Sequence, residues 1–216
     1  MAENGCVPRF PVYLFDLDGT LLHSAPDICA AIQEVLASTP ARPVTYEFLE
    51  SYVGLHLIDL FQDVLPGYTP EQIDALIQQY RTIYHARHNK STTMFPGVVE
   101  TLSAIGGRKS ICTTKGTPFT RLCLEQFGLL QYFDHVQGTD GFPHKPAPDV
   151  LLHAMDALGA KPEETLMVGD STADMEAGRR AGVKICAVTH GYGKNEELAQ
   201  FQPDYWIDDL RQLRWS

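Results

Sequence analysis

Val12-Tyr13-Leu14-Phe15-Asp16-Leu17-Asp18-Gly19-Thr20 opens the informative part of this 216-residue chain. Four apolar residues run without alternation into two carboxylates and a turn. An unbroken apolar run of this length fits a strand buried on both faces, as in a parallel sheet. Side chains alternate along a strand, so Asp16 and Asp18, two apart, are able to face the same side. In that arrangement one carboxylate can attack phosphorus while the other serves as acid and base. A calcium loop is the first rival. It needs glycine at the sixth position and glutamate at the twelfth, whereas Gly19 is fourth and Asp27 twelfth counting from Asp16. The second rival, a polar turn after a strand, stays open on these residues alone.

Three later segments read as strands of the same kind: Ser110-Ile111-Cys112, Thr165 to Val168, and Val183 to Val188. Helical patterns separate them. Pro118 to Phe127 ends at Gly128, Asp149 to Leu158 at Gly159, and Met175 to Ala181 at Gly182, the place glycine favours after a helix. Alternating strands and helices imply a parallel α/β sheet with right-handed crossovers. Residues 23–92 break the alternation and read as helices only. Ser24 is positioned to cap the first, and Ile28, Ala31, Ile32, Val35 and Leu36 form its apolar stripe. Pro40 and Pro43 end it. Thr69-Pro70-Glu71-Gln72 is a second start signal, with proline at the first helical position and glutamine placed for a capping box. This block is either a lid inserted after the first strand or a set of helices covering the sheet.

Polar groups at strand ends carry the chemistry, because sites of open α/β sheets form at the carboxyl ends of strands. Thr113-Thr114-Lys115-Gly116 follows the second strand and offers a hydroxyl and backbone N–H groups to a phosphate, although such residues are also ordinary turn chemistry. In Lys145-Pro146-Ala147-Pro148-Asp149 the prolines stiffen the approach to a helix and hold Lys145 in one place. There its charge could neutralise a carboxylate and a phosphate together; by itself it reads equally as a surface lysine. Gly169-Asp170-Ser171-Thr172-Ala173-Asp174 sets two acids four apart at a strand end. That suits a hard cation such as Mg²⁺; alternatively, Asp170 or Ser171 only caps the next helix.

Composition narrows the partners. Hydrophobic residues make up 44% of the chain, enough for a full core. A net charge of −10 argues against nucleic acid, which is bound by surplus Lys and Arg, but a few local cations suffice for a small phosphorylated metabolite. Cys6, Cys29, Cys112, Cys123 and Cys186 are scattered without a C-x-x-C and read as reduced thiols. No basic n-region with an apolar stretch opens the chain, and no apolar run is long enough to span a bilayer. The expectation is a cytoplasmic protein with no membrane partner, monomeric or homodimeric.

Taken together, Phe15 to Leu22, Thr113, Lys145 to Asp149 and Gly169 to Asp174 resemble the haloacid dehalogenase-like superfamily. Ser24 to Ile28, Phe95-Pro96-Gly97-Val98 and Tyr132-Phe133-Asp134 point to its phosphoglycolate phosphatase-like branch, and the resemblance covers nearly the whole chain. It implies a Rossmann-like parallel-sheet core over residues 1–22 and 93–216 with an all-helical cap over 23–92. It also implies a Mg²⁺-dependent phosphatase, with 2-phosphoglycolate as the leading substrate. Asp16 would attack phosphorus and become phosphorylated. Asp18 would protonate the leaving oxygen and then activate water. Mg²⁺ would be held by the Asp16 carboxylate, the Asp18 carbonyl and Asp170, with Asp174 supporting the metal or orienting Lys145. Thr113 and the Thr114 N–H would hold phosphate oxygens. Relatives usually carry Asp where His23 stands and often Asn where Thr114 stands, and the loop before Lys145 is a residue shorter than their common form. These departures bear on substrate identity, since His23 sits at the hinge between core and cap.

His56, in a loop that points into the site in capped relatives, is a candidate substrate contact, with a polar helix residue as the plainer reading. No arginine lies between Ser51 and Pro66, which weighs against a sugar-phosphate mutase. His85 and His88 read as a solvated helix face, Arg81, Arg87 and Lys90 as surface cations, and Cys112 as a buried small residue. A phosphatase for a sugar phosphate, nucleotide or pyrophosphate is the alternative enzyme. A non-catalytic phospho-ligand sensor on the same fold is the alternative of another class.

Overall fold

The apolar run after Pro11 forms β1 (Val12–Phe15), with all four side chains buried. The structure is a computed structural model and describes residues 7–214; Cys6 lies outside the described residues. A short β2 (Leu22–His23) leads into α1 (Ala25–Leu36), α2 (Tyr46–Glu50), α3 (Leu57–Val64) and α4 (Pro70–Arg87), and β3 (Thr93–Met94) follows. The rest alternates as α5 (Val98–Ala104), β4 (Arg108–Cys112), α6 (Thr117–Gln126), β5 (His135–Gln137), α7 (Asp149–Leu158), β6 (Thr165–Gly169), α8 (Thr172–Ala181), β7 (Lys184–Val188), α9 (Asn195–Leu198) and β8 (Tyr205–Ile207). The main sheet has the order β5-β4-β1-β6-β7-β8, and every pairing in it is parallel.

β1 reads as continuously apolar because both its edges and both its faces are covered. Phe15 lies opposite Ile111 on β4 and Val168 on β6. Tyr13 and Phe15 join one apolar cluster with Leu102 and Leu124 of α5 and α6. Val12 and Leu14 point the other way, to a cluster with Leu151 and Met175 of α7 and α8. The two-residue period of a strand thus feeds two helical layers from one run. Fully burying each such side chain contributes roughly 1.5–3 kcal/mol. β5 and β8 were not visible as apolar runs. They are three-residue edge strands with mostly half-buried side chains.

α1 to α4 build an apolar cluster of their own, from Ala25 to Tyr84, that includes the whole predicted stripe of α1. The predicted capping box is present on α4, where the Thr69 side chain accepts from Gln72 N–H and the Gln72 side chain accepts from Thr69 N–H. Ser24 differs from expectation. Its backbone is already helical and its hydroxyl makes no cap, because it donates to Asp18 Oδ1 at 2.5 Å. Asp27 turns inward, accepting from Arg87 Nε, Ser91 N–H and the Thr92 hydroxyl. Arg87 is therefore an internal ion-pair partner and not a free surface cation. β2 and β3 lie side by side as an antiparallel pair, His23 opposite Thr93, where the chain leaves and re-enters the α/β part. Among the described residues, no helix is long and apolar enough to cross a membrane. Cys29, Cys112, Cys123 and Cys186 are free and buried.

Candidate active site

Parallel neighbours end on the same edge of a sheet, so the residues after β1, β4 and β6 converge although they are far apart in sequence. Asp16 follows β1, and its N–H donates to Val168 O of β6 at 2.9 Å. Lys145, on the segment entering α7, is almost fully buried and its Nζ donates to three acceptors: Asp16 Oδ1 at 2.6 Å, Asp174 Oδ1 at 2.5 Å and Cys112 O at 3.0 Å. Asp170 follows β6. Its Oδ1 accepts from the Thr20 hydroxyl at 2.9 Å and its Oδ2 from Tyr192 N–H at 2.8 Å. Ser171 caps α8 in a box with Asp174, whose Oδ2 accepts from Ser171 N–H at 3.0 Å and from its hydroxyl at 2.6 Å. Capping thus belongs to Ser171, which leaves Asp170 to face the centre.

Glycines let backbone crowd against Asp170. A Cβ on Gly19 would come within 2.2 Å of Asp170 Oδ2, and one on Gly191 within 2.3 Å. Both lie far inside any tolerated approach, so these glycines are required for the closeness of the loops.

Burial pushes the Asp16 carboxyl up to about 7; Lys145 opposes that rise, while Asp174 and Asp18 add to it. Asp170 is raised for the same reasons, burial first and then Asp16 and Asp174. For Lys145 burial disfavours the charge, but Asp16 and Asp174 outweigh it and raise the ammonium above the ordinary lysine range. Asp18 is held from both sides: Oδ1 accepts from Ser24 and Oδ2 from Lys115 Nζ.

Single ligand atoms of Asp16, Asp170 and Asp174 lie within 4.8 Å of one another, a spacing fit for a metal ion. Asp16 Oδ2 is buried without a hydrogen-bond partner, an orphan that such an ion would satisfy. Charge agrees. Four carboxylates, Asp16, Asp18, Asp170 and Asp174, face two ammonium groups, Lys115 and Lys145, leaving the deficit of one divalent cation. An all-oxygen set of this kind suits a hard cation.

A cavity of 490 Å³ opens from Asp18 between the α/β part and the helical block. Thr114 and Lys115 line it on one side, His56 and Arg81 on the other, with Tyr80 and Phe119 among its aromatic walls. Gly54, at φ +91°, brings the helical block to the Asp170 loop, where its Cβ would sit 3.2 Å from Ser171 Cβ.

Asp16, Asp18, Lys145, Asp170 and Asp174 come together, with Thr113 buried one residue beyond Cys112. His56 is the N-cap of α3 and accepts from Ile58 N–H through Nδ1; its ring stacks on His144 at 3.7 Å. Burial, then His144 and Arg81, push it down to about 4. His23 is not among the residues lining the cavity; it turns to the Tyr192 hydroxyl at 3.1 Å. His85 and His88 are exposed, as a solvated helix face requires, although the His85 ring also lies over Phe119 at 4.1 Å; Arg81 is exposed too and lines the cavity. Tyr192, His144 and Lys115 were not assigned roles from sequence. Lys115 stood inside a quoted motif; the other two carry no local signal.

Fold and site define an α/β protein with an acidic, cation-fitted centre at its strand ends. The chain belongs to the haloacid dehalogenase-like hydrolase family, whose pattern matches residues 13–188. Phosphoglycolate phosphatase 1 of Pseudomonas aeruginosa is 34% identical over 223 residues, covering 98% of this chain and 82% of that protein. Pyrophosphatase PpaX of Halalkalibacterium halodurans is 34% identical over 205 residues, 93% of each chain. A solved haloacid dehalogenase-like family hydrolase from Streptococcus pneumoniae superposes with a TM-score of 0.85 at 25% identity, covering 94% of this chain and 96% of the other.

Proposed function

We propose that this protein is a Mg²⁺-dependent phosphatase that hydrolyses a small phosphate monoester through an aspartyl-phosphate on Asp16. The observation that carries it is the Asp16 carboxylate itself, buried at a strand end, with Oδ1 on Lys145 and Oδ2 without a partner. Asp16 attacks phosphorus in line, forming an O–P bond as the ester P–O bond breaks. Asp18 gives its proton to the departing alkoxide. Water then attacks the aspartyl-phosphate, its proton goes to Asp18, and phosphate and the free Asp16 carboxylate return. Lys145 offsets the repulsion between carboxylate and phosphate, and Asp174 orients Lys145. Thr113 and the Thr114 N–H hold phosphate oxygens. Asp16, Asp170 and the Asp18 carbonyl would hold Mg²⁺, with Asp174 in support; bound there, the ion supplies positive charge between two anions.

The helical block, residues 23–92, acts as a lid whose loop around Gly54 and His56 closes over the cavity and excludes competing water. 2-Phosphoglycolate is the leading substrate, supported by the name of the P. aeruginosa relative, a phosphoglycolate phosphatase. Pyrophosphate is the second reading, supported by the H. halodurans relative. We take the enzyme to be cytoplasmic, monomeric or homodimeric, and without nucleic acid, in keeping with its charge of −10. The test is phosphate release from a panel holding 2-phosphoglycolate, pyrophosphate, sugar phosphates and nucleotides, with Mg²⁺ and with chelator. Metal-dependent preference for 2-phosphoglycolate is expected. Folded protein that releases phosphate from none of them overturns the reading in favour of a phospho-ligand sensor.

A further inference from the structure

Asp18 accepts from Ser24 at one oxygen and from Lys115 Nζ at the other, so an ammonium stands directly on the residue assigned to the leaving oxygen. A general acid has to carry a proton and present it to the leaving oxygen. Lys115 is thus the cation on the leaving-group side of the site. It is built to move. The side chain lines the cavity, retains 12% exposure, and stands on a flexible four-carbon stem. Its Nζ also lies 5.0 Å from the centroid of the Tyr84 ring, a cation–π contact on the cavity side.

We propose that Lys115 selects esters whose leaving group carries its own negative charge, by exchanging its ion pair with Asp18 for one with that charge. The proposal rests on the phosphatase reading and names the substrate class of that site. A carboxylate or phosphate one or two bonds from the leaving oxygen enters the cavity beside Asp18 and draws Lys115 away. A neutral leaving group offers Lys115 no alternative partner, and a cationic one is repelled. Glycolate and the second phosphate of pyrophosphate share this feature, which sugar hydroxyls lack.

The experiment compares three primary-alcohol esters of similar size: 2-phosphoglycolate (anionic), ethyl phosphate (neutral) and phosphoethanolamine (cationic). Wild type is expected to prefer 2-phosphoglycolate to ethyl phosphate by roughly a hundred-fold in kcat/KM, the range of a well-placed charge contact. Lys115→Met should cut that preference about ten-fold or more and raise the rate on phosphoethanolamine relative to ethyl phosphate. A purely structural role would lower all three together and leave their ratios in place. Lys115→Arg keeps the cation and should retain most of the preference, with circular dichroism checking the fold of both variants. Ratios in Lys115→Met within about three-fold of wild type overturn the proposal. So does a wild type that is indifferent to leaving-group charge, even while it hydrolyses all three esters. Absence of hydrolysis of every ester by folded wild type removes the phosphatase reading instead.

Discussion

Replacing Asp16 by Asn tests the charge balance of the site and its chemistry together. The shape of the side chain is kept, so its oxygen still accepts from Lys145 Nζ, which stands 2.6 Å from Asp16 Oδ1. What disappears is one negative charge from a centre that holds more carboxylates than cations. Burial, resisted by Lys145 and reinforced by Asp174 and Asp18, lifts Asp16 from 3.8 to about 7. Ionising it in the metal-free protein above that pH therefore costs about 4 kcal/mol relative to the unfolded chain. The amide recovers only part, since its NH₂ faces the space where Oδ2 lacked a partner. Recovery of about half, ~2 kcal/mol, corresponds to a rise of roughly 4–8 °C in Tm for a chain of this size. Calorimetry in EDTA at about pH 7.5 should show that rise, and millimolar Mg²⁺ should stabilise wild type far more than the variant. Phosphate release should fall by at least about 10⁴-fold, as for loss of a covalent nucleophile. A variant that melts below wild type in EDTA, or that turns over within ten-fold of it, refutes the reasoning.

Asp18→Asn should slow both halves of the reaction and let phosphorylated Asp16 accumulate, visible by mass spectrometry after an acid quench; wild-type rates would reject Asp18 as the acid and base. The stacked pair His56 and His144 gives a pH dependence. Burial lowers both, His56 to about 4, so the folded state binds protons less readily than the unfolded chain. The stability they contribute is present above about pH 6.5 and is lost as pH falls toward 4. Melting temperature with saturating Mg²⁺ should drop across that window, and His56→Asn, which keeps a helix cap, should flatten the drop. Equal slopes in the two proteins would count against the stacked pair as its source.

The strand at residues 12–15 was legible because a strand buried on both faces leaves an unbroken apolar run, and Tyr13 and Leu14 do point to opposite layers. The capping box at Thr69 was legible because it is closed by residues three apart. Ser24 failed the same logic. Its local pattern fits a cap, but a carboxylate six residues earlier competes for its hydroxyl. The edge strands β5 and β8 escaped notice because half-buried strands of three residues carry no periodic signal.

The candidate site divides along the same line. Which residue types could attack, neutralise charge and hold a cation was written in Asp16-Leu17-Asp18, Lys145 and Asp170 to Asp174, because each motif ends an element and so marks a strand-end position. That Lys145 touches both Asp16 and Asp174 could not be read from spacing; parallel pairing of β1 with β4 and β6 brings these strand ends together. Lys115 on Asp18, Tyr192 on Asp170 and His56 on His144 join residues 97, 22 and 88 positions apart. Such pairs leave no spacing to detect, because it is the sheet order and the docking of the helical block that bring them into contact. By itself, the sequence determined the buried strands, the main helices, the acidic strand ends and the family; tertiary packing alone decided the edge strands and which charges meet, and so which of them remain free to act.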